Sequence, residues 1–71
     1  MSSYNEYIAE REKIDFLIEQ GYKIKAVTEN LSGAFVEFQQ ANGESLNVET
    51  LHILTADARK YFSGILIQQK T

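Results

Sequence analysis

Seventy-one residues, 44% of them apolar, with a net charge of −3 and a calculated isoelectric point near 5.0, make one small acidic globular domain with no room for a second core. The absence of cysteine excludes disulfides and thiolate metal sites, and no apolar run approaches the roughly 20 residues that cross a bilayer. The opening MSSYNEYIAEREK lacks the basic start and apolar run of a secretion signal, so the cytoplasm is the expected compartment and no membrane partner is expected. Generic phosphate-backbone binding works through a basic surface, which disfavours nucleic acid as a partner here and favours a protein. A chain this short buries only about 60% of the surface its unfolded form exposes, and self-association is one way to gain stability.

The first element, Ser3 to Gln20, has helix punctuation at both ends. Ser3 and Glu6 make an S-x-x-E capping box, and Gly21 stands where a left-handed residue closes a helix. At about 100° per residue, Tyr4, Tyr7, Ile14, Leu17 and Ile18 gather on one face. Arg11 falls within that stripe, where its stem can lie on apolar surface with its charge at the rim. Two features fall outside it. Phe16 points away, and Glu12, Asp15 and Glu19 follow i, i+3, i+7 spacing as an acidic ridge flanked by Ile8 and Phe16. Such a stripe is most often a solvated face. The sharper reading is an acidic docking ridge with an aromatic anchor.

From Tyr22 the period drops to two. Tyr22, Ile24 and Ala26 alternate with Lys23, Lys25 and Val27 as a half-buried strand, and ENLSG (Glu29 to Gly33) is turn chemistry. Ala34 to Gln40 reads as a second strand and Ser45 to Glu49 as a third. A two-residue turn at Asn42-Gly43 would pair Gln39 with Leu46 and Glu37 with Val48, mixing apolar with polar throughout. A three-residue loop, Ala41-Asn42-Gly43 with Gly43 left-handed, pairs Phe38 with Leu46 and Val36 with Val48, and is the expected register. Pairing Ala26 with Val36 and Ile24 with Phe38 then completes one apolar face. Val27 and Phe35 are left on an otherwise polar outer face beside Lys23, Lys25, Glu37, Gln39 and Glu49.

Thr55 is expected to cap a second helix that gathers Leu54, Ala58, Tyr61, Phe62 and Ile65 on one face. Gly64 leaves two readings: a continuous helix to about Gln69, which is favoured, or a helix ending at Ser63 followed by a fourth strand, ILIQQ. The expected fold is α+β, a single domain over residues 1–71 in the order α-β-β-β-α, with a three-stranded antiparallel meander and helices packed on one face.

Catalytic chemistry is not expected. His52, the single histidine, has no cysteine or second histidine for a transition-metal site, and its place after the third strand suits an ordinary polar or capping role. The serines lack a nucleophile-elbow context, and no phosphate-cradling glycine motif is present. Helical carboxylates without a loop of carbonyl ligands make a poor calcium cage, so Glu12, Asp15 and Glu19 do not predict a metal site, and no cofactor is implied.

What the fold does not need points to binding. The leading expectation is a non-enzymatic protein-binding regulator of the inhibitor, antitoxin or immunity kind, acting on a partner with a basic surface through Glu12, Asp15, Phe16, Glu19 and Phe35. In element order the chain resembles some small phage-encoded anti-CRISPR proteins, which also set a meander beside helices. The resemblance is one of architecture, carries no residue motif, and assigns no functional residue. Independently of that resemblance, an inhibitor of a nucleic-acid enzyme can place its carboxylates where phosphates would lie. The alternative is a homodimer or accessory subunit joined through uncovered strand edges or the Val27/Phe35 patch. Nucleic-acid binding through Lys23, Lys25 and Phe35 is disfavoured because Glu37 and Glu49 share that face.

Overall fold

In the computed structural model of the chain the described residues are 2–70, with side chains described from Asn5 to Gln69. Helix α1 spans Ser2–Glu19. The Ser3 hydroxyl of the expected capping box and the Tyr4 ring of the expected stripe lie outside the described side chains. The C-terminal end closes as expected. Gly21 takes φ +94°, its N–H donates to the Ile18 carbonyl (3.0 Å), and the Tyr22 N–H donates to the Leu17 carbonyl (3.0 Å). This is the paired Schellman pattern, which satisfies two orphan carbonyls of the last turn. Ile14 and Leu17 are buried, Tyr7 and Ile18 pack against them, and Phe16 stays 60% exposed.

Three strands form an antiparallel sheet in the order β1 (Lys23–Asn30), β2 (Gly33–Asn42), β3 (Ser45–Ile53). Ile24 pairs with Phe38 as expected, but the ladder then slips at Lys25, so that Ala26 faces Glu37 and Val27 faces Val36. The slip is a β-bulge, and one extra residue reverses which side chains point inward. Val27 therefore packs toward the core and Ala26 is exposed, the reverse of the expected arrangement. Phe35 loses its expected outer-face neighbour.

The β2–β3 register also differs from expectation. Asn42 pairs with Ser45, Gln39 with Val48, Phe38 with Glu49, Val36 with Leu51 and Ala34 with Ile53. The turn is the two residues Gly43-Glu44, with Gly43 at φ +64° in the first central position, as a type II′ turn requires. Neither the three-residue loop nor a turn centred on Asn42-Gly43 forms. Leu51 and Ile53 take the inward positions expected for Leu46 and Val48, which instead stand 60% and 48% exposed on the outer face.

Helix α2 runs unbroken from Ala56 to Lys70 through Gly64, which rules out a fourth strand at ILIQQ. Thr55 caps it, its Oγ1 accepting from the Ala58 N–H at 3.2 Å. Leu54, expected on the buried face, is exposed just before the cap. Ala58 and Phe62 join Ile14 and Leu17 over the buried sheet residues Ile24, Ala34, Val36, Phe38 and Ile53. That single cluster makes the architecture α-β-β-β-α around one sheet face. The outer face stays open, and every residue from Ala41 through Thr50 is exposed. Among the described residues no helix is long and apolar enough to cross a membrane.

Candidate protein-binding site

Helix α1 has two flanks, and the structure puts them to different uses. Toward α2, the Tyr61 hydroxyl donates to an Asp15 carboxylate oxygen, and Arg11 pairs with Asp15 at 3.8 Å while its guanidinium lies 5.5 Å from the Tyr61 ring centroid. The hydrogen bond to Asp15, then burial, push the Tyr61 phenol above its ordinary value. The Arg11 guanidinium is pushed further up, first by its hydrogen bond with Tyr7. Asp15 is thus tied into the packing of one helix on the other.

The other flank of α1 faces β3. There α1 and the sheet part to leave an open groove of about 650 Å³, lined by Phe16, Leu17, Tyr22 and Leu51 with Glu12 and Glu49 on its walls. Leu17 and Tyr22 are the two residues joined by the helix-closing hydrogen bond, so the same backbone turn that ends α1 shapes the groove. Lys13 is the cation among the lining residues. At the hairpin end, the Gln40 amide donates to the Gln20 carbonyl and accepts from Asn47 Nδ2 at 2.9 Å. That chain holds the end of α1 to β2 and bounds the groove with fixed polar groups.

The structure brings only part of the expected set together. Glu12 and Phe16 share the groove. Glu19 is exposed on α1 and is not among the groove-lining residues. Asp15 faces α2. Phe35 lies across the sheet on the outer face, stacked on His52 with ring centroids 4.3 Å apart and planes within 6°. One face of its ring is therefore covered. His52 Nε2 sits 2.6 Å from the Ser32 carbonyl oxygen, which accepts from the Nε2–H form and ties β3 to the Leu31-Ser32 turn. Among the described residues no group of three or more histidine or acidic side chains is placed to hold a metal ion.

Two residues of the region lie outside the expected set. Glu49 reaches the groove only because β3 pairs Glu49 with Phe38, and no local pattern marks it. Glu10 is buried and accepts from the Leu54 N–H (2.7 Å), the Thr55 N–H (3.1 Å) and the Thr55 hydroxyl (2.7 Å). A carboxylate there satisfies orphan donors at the start of α2 and favours its dipole. A signal did exist: Glu10, Ile14 and Leu17 are spaced i, i+4, i+7, so an acid lies within the apolar stripe. Comparison with known protein families, curated proteins and solved structures finds no match.

Proposed function

We propose that this chain is a non-enzymatic protein-binding regulator of inhibitor type that seats an apolar side chain of its partner in the groove between α1 and β3. The observation that carries the reading is the placing of exposed Phe16 beside an apolar-floored groove with Glu12 and Glu49 on its walls. A large aromatic at a concave, desolvatable surface supplies the energetic centre of an interface, and a carboxylate rim selects and steers a basic partner. Glu19 extends that charge along the exposed side of α1. An enzyme that handles nucleic acid has such a basic surface, and the architectural resemblance to phage-type inhibitors agrees with that class of partner.

Capture from a host lysate on the immobilised chain, followed by titration of the captured protein, tests this. Phe16→Ala is expected to weaken binding by about 2 kcal/mol, and Glu12→Lys with Glu19→Lys to slow association and remove its salt dependence. Both variants should melt like the parent, because these side chains are exposed. Asp15→Lys is expected to lower stability instead. A partner that binds Phe16→Ala and the double reversal as tightly as the parent would refute the groove reading.

A further inference from the structure

The two edges of the sheet are finished differently. On β1 the Gln69 side-chain amide accepts from the Ile24 N–H at 2.9 Å and donates to the Ile24 carbonyl at 3.0 Å, standing in for one residue of a fourth strand. The bulge at Lys25 and the exposed Lys23 and Lys25 side chains blunt the same edge further. β3 has none of these devices. It is nine residues long, carries no lysine or proline, and is exposed throughout Ser45 to Thr50.

Its free hydrogen-bonding groups follow from the turn. Asn42 and Ser45 flank a two-residue turn and so form a hydrogen-bonded pair, after which the antiparallel ladder alternates. Ser45, Asn47 and Glu49 spend their backbone groups on β2. Leu46, Val48 and Thr50 point theirs outward, and among the described residues no hydrogen bond from outside the sheet reaches them.

We propose that β3 pairs with β3 of a second copy of this chain, antiparallel about a two-fold axis at Asn47, to make a six-stranded sheet. The sequence of the edge is self-complementary in that register. Leu46 lies opposite the partner's Val48 and Val48 opposite the partner's Leu46, so four exposed apolar side chains close over one another on the outer face. Ser45 faces the partner's Glu49, Glu44 faces the partner's Thr50, and Asn47 faces the partner's Asn47. No two like charges oppose. Moving the axis to Val48 sets Leu46 against threonine, and moving it to Glu49 sets two carboxylates against each other. The Asn47 axis also matches the outward groups, since Leu46 and Val48 exchange both main-chain hydrogen bonds with the partner's Val48 and Leu46. With the axis normal to the sheet, both pairs of helices lie on one side. The pairing does not rest on the groove reading, because it needs only the purified chain.

Light scattering across a concentration series, from low to high micromolar, is expected to show a monomer–dimer equilibrium. Val48→Pro removes an N–H that points away from β2, so the monomer should keep its circular dichroism while the dimer dissociation constant rises about tenfold or more. Leu46→Lys together with Val48→Lys, at exposed positions, should do the same by setting cations beside one another. Register is read separately. The chain has no cysteine, so Asn47→Cys alone should give a covalent dimer on mild oxidation, because the residues on the axis meet at disulfide distance. Glu49→Cys should not, its two copies being about four residues apart along the strands. A parent that is monomeric at every concentration overturns the proposal and leaves the edge to a strand of another protein. A dimer unaffected by the lysine variant, or crosslinked through Glu49→Cys rather than Asn47→Cys, also overturns it.

Discussion

The two ends of the sheet contrast sharply. Around Ala34, Val36, Leu51 and Ile53 the inner face is roofed by both helices, and Glu10 and Thr55 fasten the roof to the sheet. Beyond Gln40 the same two strands run on with both faces exposed, and the Gln20–Gln40–Asn47 chain ties that end to a helix. One hairpin therefore serves as core at one end and as surface at the other. The groove sits at the junction, where α1 stops covering the sheet. Burial at one end supplies the stability that allows the other end to remain exposed.

Mutations should divide along the same line. The largest effect is expected for Phe38→Ala, which empties the largest fully buried side chain and should cost about 3–5 kcal/mol by denaturant titration. Glu10→Ala should follow at about 2–3 kcal/mol, because two backbone donors and the Thr55 hydroxyl lose a charged acceptor where water has little access. A loss as small as that of an exposed residue would mean that the roof is not fastened at Glu10. Gln69→Ala should cost about 1 kcal/mol and speed amide exchange at Ile24, since it uncovers part of the β1 edge.

A pH effect should come next in size. The Tyr61 phenol is raised above its ordinary value of 10.0, chiefly by its hydrogen bond to Asp15, so the folded chain holds that proton more tightly than the unfolded chain. The associated stability is complete below pH 10.0 and lost as pH rises through the folded value. Melting temperatures of the parent and Tyr61→Phe should accordingly converge in alkali, the parent falling faster. Equal slopes would show that the contact between the helices is not held by this bond. Smallest of all, Leu46→Ser, measured where the chain is monomeric, should change stability by no more than about 0.5 kcal/mol. A loss of several times that size would contradict the division between a covered and a free end.

Much of this arrangement is legible in the residues themselves. The helix stop at Gly21, the Thr55 cap, the outward Phe16 and the element order follow from local preferences that tertiary contacts reinforce. The acidic ridge is only half legible, since helical spacing places Asp15 near Glu12 but says nothing of Tyr61 arriving from 46 residues away. The groove is less legible still. Its lining comes from α1, Tyr22 just before β1, Gln40 of β2, and Glu49 and Leu51 of β3, and no local pattern links them.

What the sequence determines here is the identity of each element and the periodic positions at which it offers apolar side chains. The tertiary structure decides which of those positions are used. In β3 the apolar residues change parity, with Leu46 and Val48 on even numbers and Leu51 and Ile53 on odd ones, so alternation offers two inner faces of equal merit. Ile24 and Val27 pose the same ambiguity in β1, and a bulge at Lys25 turns both inward. Side-chain period cannot choose between faces, because a one-residue shift exchanges them. The choice falls to the helices, which cover the sheet only at one end and bury whichever residues lie beneath them.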